Sequence, residues 1–144
     1  MKIAIAFDHG AYDFRQSLIE HLNSKGHEVE DFGTYSKESC DYPDHGKPAV
    51  ESVAKAECDK AILCCSNGIG MTMLANKVSG IRAAMVYSKT SAKATREHHD
   101  SNILCLGAKE FTSEDLLSFV DIWLTTPFEG GRHLRRINKF PSQC

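Results

Sequence analysis

The sequence contains no apolar run long enough to span a membrane and no marked excess of charge of either sign. Its 17 lysines and arginines face 19 aspartates and glutamates, which gives a formal net charge of −2. This balance argues against a general role in binding nucleic acid or a membrane surface. A secretory leader pattern is also lacking, because the first residues form a strand-like run at once. We therefore expect a cytoplasmic protein with no nucleic-acid or membrane partner.

The cysteines form no Cys-x-x-Cys pair and no cluster with the spacing of metal ligands. There are six of them, at positions 40, 58, 64, 65, 105 and 144. Disulfide scaffolds carry more cysteines in shorter, secreted chains. Most of these thiols are therefore expected to be reduced and to pack as small apolar groups. The spacing predicts no zinc site.

Strand-like and helix-like runs alternate along the chain, as in a domain of the α/β class. Strand-like runs lie at 3–7, 28–32, 60–64, 81–87 and 103–106. Helix-like runs lie at 11–24, 47–56, 71–78, 90–98 and 113–124, and a loop is predicted over 33–46. Strict alternation predicts a five-stranded parallel sheet with helices on both faces. Ligands of such sheets bind at the carboxyl ends of the strands.

One motif follows the third strand and opens the next helix: Cys65-Ser66-Asn67-Gly68-Ile69-Gly70. A chain that turns through glycines into a helix directs several backbone N–H groups to one point, which favours negative charge. A cysteine there would be stabilised as a thiolate. Strand alternation does not separate Cys64 from Cys65, and we prefer Cys65 because it adjoins the loop. The motif predicts a base or nucleophile whose reaction passes through an oxyanion.

Three other groups of polar residues have both a functional and a structural interpretation. Asp8-His9 follows the first strand, where it could face the ligand crevice or merely cap the next helix. His98-His99 ends a helix, where an imidazole could act as acid or base or simply complement the helix dipole. Arg132 and Arg136 would share one helical face and suit a phosphate, unless the tail is only a solvated basic segment.

These motifs belong to a longer ordered series that runs from Met1 to about Asn138. The series comprises Phe7-Asp8-His9-Gly10, Asp41-Tyr42-Pro43, the loop Cys65 to Gly70, Ala75-Asn76-Lys77-Val78, Gly80-Ile81-Arg82-Ala83-Ala84, Arg96-Glu97-His98, Asn102-Ile103-Leu104 and Gly130-Gly131-Arg132-His133. Together the segments resemble the type B ribose-5-phosphate isomerase family, which also includes galactose-6-phosphate isomerase subunits.

The resemblance implies an aldose–ketose isomerase with a Rossmann-like, doubly wound fold and without a metal or cofactor. It implies one sugar-phosphate isomerase domain over residues 1–144, in which residues 128–144 form a phosphate-binding and interface tail. The active site of the family lies at a dimer interface, so we expect a homodimer; some members pair into homotetramers. We expect His98 and His99 to reach the site from the neighbouring subunit.

The resemblance also implies roles for individual residues. Cys65 would be the base that moves a proton between C1 and C2, and His98 would assist opening of the furanose ring. Asp8 and Tyr42 would contact sugar hydroxyls or the ring oxygen, and the loop 66–70 would hold the enediolate oxygens. The phosphate ligands would be His9, Arg132, His133 and Arg136. The expected substrate-binding residues are Asp8, His9, Tyr42, Ser66, Asn67, Gly68, Ile69, Gly70, His99, Arg132, His133 and Arg136.

Three residues depart from the family pattern. The usual Cys-Gly-Thr-Gly loop reads Cys65-Ser66-Asn67-Gly68 here, and the usual asparagine after the catalytic histidine is His99. Ser66 is less suited than glycine to a special backbone angle, and Asn67 changes any side-chain contact to the reacting oxygens. Another branch of the family uses a glutamate of this loop as the base. Position 71 is Met here, so Cys65 keeps that role.

The expected reaction is the interconversion of D-ribose 5-phosphate and D-ribulose 5-phosphate through an enediolate, in the non-oxidative branch of the pentose phosphate pathway. Two alternatives stay open. One is the isomerisation of a six-carbon phosphate such as galactose or allose 6-phosphate, which needs more room between the phosphate arginines and Cys65. The other is a non-catalytic phosphosugar-binding module built on the same fold.

Overall fold

A computed structural model describes residues 1–141, so Cys144 and the last three positions of the expected tail lie outside the described residues. The strands are β1 (Lys2–Phe7), β2 (Glu28–Asp31), β3 (Lys60–Cys65), β4 (Ala83–Met85) and β5 (Ile103–Gly107). The helices are α1 (Tyr12–Ser24), α2 (Tyr42–Ala54), α3 (Ile69–Ala75), α4 (Lys89–Glu97), α5 (Ser113–Thr125) and α6 (Arg132–Ile137). Within the described part of the chain, no helix has the length and apolar character needed to cross a membrane.

The strands form one five-stranded sheet in the order β2-β1-β3-β5-β4, and every neighbouring pair is parallel. The inner strands are buried on both faces, which explains why they are apolar at nearly every position. One core packs the sheet against α1, α4 and α5 and includes Phe7, Leu18 and Trp123. The other packs it against α2 and α3 and includes Val50 and Met71. The predicted doubly wound α/β fold is confirmed.

Helix α2 begins five residues earlier than predicted, so the predicted loop over 33–46 is wrong in its last part. The pattern assigned Pro48 to the first turn, but Pro43 occupies that turn and Pro48 lies inside the helix. Proline is tolerated in a first turn because the N–H that it lacks would have no partner there. As a result, Tyr42 stands at the start of α2.

The winding of the chain gives the sheet two chemically different edges. The carboxyl ends of β1, β3 and β5 meet at one edge, where Cys65 pairs in register with Gly107. Helix α4 follows β4 and runs back to the opposite, amino edge. There Arg82 donates to the carbonyl oxygens of His99 and Asp100, just before β5 begins. Residues at the end of α4 therefore lie far from the residues that follow the strands.

Candidate active site

The Cys65 thiol lies at the carboxyl edge, where β3 turns into α3. Its side chain is 5% exposed, and its Sγ accepts a hydrogen bond of 3.1 Å from the backbone N–H of Gly68. Gly68 adopts a φ of 82°, a left-handed angle that strains other residues and that turns its N–H back toward the sulfur. The sulfur thus has a fixed backbone N–H donor directed at it.

The structure separates Cys65 from the neighbouring Cys64, which the sequence did not. Cys64 points to the opposite face of the sheet and is fully buried in the core with α1 and α5. Burial raises the pKa of Cys64 well above its ordinary value and raises the pKa of Cys105 to about 12. Both thiols are therefore protonated at neutral pH. Of these three cysteines, Cys65 is the one that borders the loop.

The Asn67 side chain folds back onto its own loop. Its Oδ1 accepts a hydrogen bond of 3.0 Å from the backbone N–H of Ile69 and lies 4.0 Å from Cys65 Sγ. The N–H groups of Gly68 and Ile69 are therefore occupied, the first by sulfur and the second by the amide oxygen. First-turn N–H groups have no carbonyl partner inside their own helix, which makes the N–H of Gly70 a candidate donor to a bound oxygen.

Asp8 places a buried carboxylate beside the loop. The residue is 8% exposed, and its backbone N–H donates to the Cys64 carbonyl oxygen at 3.1 Å, which ties the ends of β1 and β3 together. Among the described residues, its Oδ1 has no hydrogen-bond partner. Ser66 Oγ fills the space where a side chain on Gly10 would begin, and Asp8 Oδ1 lies 3.2 Å from that point. A buried oxygen of this kind suits a hydroxyl donor from a ligand.

Tyr42 and His9 complete the polar groups of the carboxyl edge. A side chain on Gly70 would begin 2.7 Å from the Tyr42 ring and 3.0 Å from its hydroxyl, so α2 and α3 meet through this pair. His9 is exposed, and its Nδ1 accepts a hydrogen bond of 3.2 Å from the backbone N–H of Cys40. The loop before α2 is thereby attached to the end of β1.

A second cluster of expected site residues lies at the amino edge. The rings of His98 and His133 stack with centroids 4.4 Å apart and planes inclined by 13°, and the His99 ring meets His98 edge-on at 6.1 Å. Arg132 and Arg136 stand on α6, one turn apart and exposed, as the helical interpretation of the tail predicted. Burial, and then the charges of Arg132 and His98, lower the pKa of His133.

One chain does not bring these two clusters together. His98 precedes the start of β5, whereas Cys65 lies at the end of β3, and the register from Ala61–Ile103 to Cys65–Gly107 spans about 13 Å of strand. A cavity of about 310 Å³ adjoins the Cys65 loop, and no arginine lines it. The sequence predicted one site to which a neighbouring subunit contributes His98 and His99; in a single chain the candidate residues form two separate clusters, which we call half-sites.

Two residues that touch these half-sites were missed by the sequence analysis. Gly107 packs against the loop, since a side chain there would begin 2.9 Å from the Asn67 backbone. Glu129 Oε2 lies 3.3 Å from His133 Nε2 at the amino edge. The spacing of Glu129 and His133, four residues apart, was a signal in the sequence, although helix α6 begins only at Arg132. Nothing in the sequence pointed to Gly107.

Residues 3–140 match the family model described as Ribose/Galactose Isomerase. The chain belongs to the ribose/galactose isomerase family. The match spans both half-sites and nearly all of the described chain, and the resemblance drawn from the motifs is confirmed.

Relatives in the ribose/galactose isomerase family match over almost their full lengths. Ribose-5-phosphate isomerase B of Escherichia coli is 39% identical over 136 residues, which cover 94% of this chain and 91% of that protein. A ribose-5-phosphate isomerase B structure from Clostridium thermocellum has a TM-score of 0.95 and 45% identity, covering 96% of this chain and 94% of that one. A Mycoplasma genitalium structure of the same name, with bound ribulose-5-phosphate, has a TM-score of 0.91 and 39% identity, covering 96% and 92%. The chain is accordingly an isomerase with a Rossmann-like fold, not a non-catalytic binding module.

Replacing Gly107 by Ala is expected to displace the Cys65 loop, because the new methyl group meets the Asn67 backbone, which cannot rotate away. Misplacing a catalytic group by about 1 Å costs on the order of 100-fold in rate. We therefore expect Gly107→Ala to lower kcat/KM for a sugar phosphate by about 100-fold, measured on protein whose fold is checked by circular dichroism. Gly26→Ala is the control, since its side chain enters open space at a strained φ of 80°. It should lower stability while sparing kcat/KM. Unchanged kcat/KM in Gly107→Ala would contradict the assignment of the loop.

Proposed function

We propose that this isomerase interconverts D-ribose 5-phosphate and D-ribulose 5-phosphate through an enediolate, with Cys65 as the base and without a metal or cofactor. The observation that carries the proposal is the Cys65 thiol, held under the Gly68 N–H at the carboxyl edge of the sheet. The relative with bound ribulose-5-phosphate supports a five-carbon substrate. This reaction belongs to the non-oxidative branch of the pentose phosphate pathway.

The thiolate of Cys65 would remove the proton from the carbon next to the carbonyl and return it to the neighbouring carbon. Negative charge then develops on the carbonyl oxygen. The free N–H of Gly70 at the start of α3 would donate to that oxygen, and a donor of this kind contributes about 3 to 4 kcal/mol in comparable sites. Because this donor is a backbone group, it needs no reorganisation when the charge forms.

The other residues of the carboxyl edge would orient the sugar. Asp8, with its unpartnered buried oxygen, would accept a hydrogen bond from a sugar hydroxyl, and Tyr42 would contact a hydroxyl or the ring oxygen. Ser66 and Asn67 line the same loop. The phosphate does not react, so its binding energy serves to hold the sugar in register with Cys65.

The site requires a second copy of the chain, because the groups for ring opening and phosphate binding lie at the amino edge. Four exposed apolar side chains surround the Cys65 loop on α3 and beside the edge strand β4: Ile69, Met73, Met85 and Tyr87. Burial of such a patch favours association. In a two-fold symmetric homodimer, each copy would place its His98, His99, His133, Arg132 and Arg136 over the Cys65 of the other. His9 would then share the phosphate with these arginines.

A six-carbon phosphate is the second candidate substrate, because the family description includes galactose as well as ribose. A longer sugar needs a wider gap between Cys65 and the arginines of the second copy. Initial rates with ribose 5-phosphate, galactose 6-phosphate and allose 6-phosphate at equal concentrations distinguish a five-carbon from a six-carbon substrate. We expect ribose 5-phosphate to react fastest, and a faster hexose phosphate would overturn the preference.

Cys65→Ala should lower kcat for ribose 5-phosphate by roughly 1,000-fold, since general base catalysis contributes about 100- to 10,000-fold. The matched control is Cys64→Ala, which removes a neighbouring thiol from the opposite face of the sheet. It should lose some stability but keep kcat. Exchange of the C2 proton with solvent, followed by NMR, should disappear only in the Cys65 variant. Full exchange after that substitution would mean that another group is the base.

The variant with both Arg132→Ala and Arg136→Ala should raise KM for ribose 5-phosphate by roughly 100-fold, because hydrogen bonds to charged groups contribute about 1.5 to 3 kcal/mol each. It should leave kcat/KM for unphosphorylated ribose nearly unchanged. The control, Lys25→Ala with Lys55→Ala, removes the same charge from the ends of α1 and α2, which pack near β1 and β2. Equal losses for both sugars would remove the phosphate role.

Mixing two inactive variants tests whether the half-sites come from different copies. Cys65→Ala and His98→Ala chains, unfolded together and refolded in equal amounts, should recover about a quarter of wild-type activity, because half of the dimers are mixed and each holds one intact site. Each variant refolded alone is the control. No recovery, in a mixture whose mixed dimers are detected by native mass spectrometry, would place Cys65 and His98 in the same chain's site.

A further inference from the structure

Three potential metal ligands converge at the amino edge. The ligand atoms of His98, Glu129 and His133 all lie within 4.8 Å of one another. The backbone brings them together, because the N–H of Glu129 donates to the Glu97 carbonyl oxygen at 3.1 Å and so attaches the segment before α6 to the end of α4. The stacking of His98 on His133 holds the two rings side by side.

His133 supplies an independent sign that this cluster is built to receive a ligand. The residue is 5% exposed, and its Nε2 is buried without a hydrogen-bond partner among the described residues. Glu129 Oε2 lies 3.3 Å from that nitrogen but off the line of a hydrogen bond. A buried polar nitrogen without a hydrogen-bond partner raises the free energy of the folded protein.

We propose that His98, Glu129 and His133 bind a divalent transition-metal ion such as Zn²⁺, and that the bound ion inhibits the enzyme. Two imidazoles and one carboxylate, with a fourth position open, form a ligand set that zinc accepts. At bond lengths of about 2.1 Å, two ligands of one tetrahedral ion lie about 3.4 Å apart, so ligand atoms now up to 4.8 Å apart must approach one another by about 1.4 Å. The Glu129 side chain is 47% exposed and free to swing, and His98 would tilt out of the stack.

Arg132 and Arg136 stand on the same short helix as His133 and oppose a cation by their charge. Glu129 offsets part of that repulsion, so it should contribute both a bond and charge compensation. Removing its negative charge should therefore weaken metal binding while leaving the positions of the two histidines nearly unchanged. This makes Glu129 the position at which metal binding can be separated from catalysis.

The inhibitory effect rests on the proposed function, since His98 and His133 are the groups assigned to ring opening and phosphate binding. An ion that holds both nitrogens removes them from the sugar phosphate. Zn²⁺ should therefore raise the apparent KM for ribose 5-phosphate, and saturating substrate should relieve the inhibition.

Binding is tested directly on the full-length dimer after chelator treatment and buffer exchange. Calorimetric titration with Zn²⁺ should give one ion per chain, and Glu129→Gln should weaken the affinity by about tenfold or more. The control is Glu114→Gln, an exposed carboxylate in the first turn of α5 at the other edge of the sheet, and it should bind like wild type. Titration with Co²⁺ should show no thiolate-to-metal charge-transfer band. Wild-type affinity in Glu129→Gln, or a strong thiolate band from Cys65 or Cys40, would overturn the site.

The activity of the same samples separates the two proposals. Chelated wild type should be active, and Glu129→Gln should need at least about tenfold more Zn²⁺ than wild type for half inhibition. Binding that depends on Glu129 but leaves KM unchanged would overturn the inhibitory role. An inactive chelated wild type that still binds Zn²⁺ through Glu129 would overturn the proposed function and leave the metal site standing. His98→Asn offers a second binding variant and should also lose affinity.

Discussion

The parallel register of β1, β3 and β5 is the constraint on which the rest of the structure depends. It brings Asp8, Cys65 and Gly107 to one level at the carboxyl edge, where the Asp8 N–H donates to the Cys64 carbonyl and the Ala108 N–H to the Cys65 carbonyl. A shift of one residue would turn Cys65 to the other face of the sheet, because side chains alternate along a strand. The Cys65 thiol thus owes its position to backbone pairing in the centre of the fold, where local unfolding is least frequent.

The same topology also places the candidate site residues of one chain at opposite ends of the strands. Each helix returns antiparallel to its strand, so residues that end α4 are delivered to the amino edge while the loop that opens α3 stays at the carboxyl edge. Under the proposed function, an isomerase built in this way would keep its base and its ring-opening histidine apart until two copies meet. The apolar side chains beside the Cys65 loop fit this arrangement, since they would be covered by the copy that completes the site.

The same separation would allow the cluster of His98, Glu129 and His133 to bind either a sugar phosphate or a divalent ion. Far from Cys65, the rings of His98 and His133 stack beside Glu129. The buried Nε2 of His133 has no hydrogen-bond partner among the described residues. In the proposed homodimer a sugar phosphate would supply one, and a divalent ion would supply another. Competition between them follows from geometry, because both need the same imidazole nitrogens. The charge of the α6 arginines would favour the phosphate over a cation, and the proposed ion would therefore need the Glu129 carboxylate.

The sequence by itself determined the alternation of strands and helices, the apolar inner strands, the glycine turn after β3 and the family, because each is written in residues adjacent along the chain. It placed the start of α2 five residues late, because Pro48 was assigned to the first turn that Pro43 in fact occupies. It preferred Cys65 over Cys64 only because Cys65 adjoins the loop, and it did not find Gly107. The direction of a side chain and its contacts across strands depend on the strand register. Only the tertiary structure decided that the candidate residues form two half-sites and that Glu129 joins two histidines, since side chains far apart in sequence meet only after the sheet is wound.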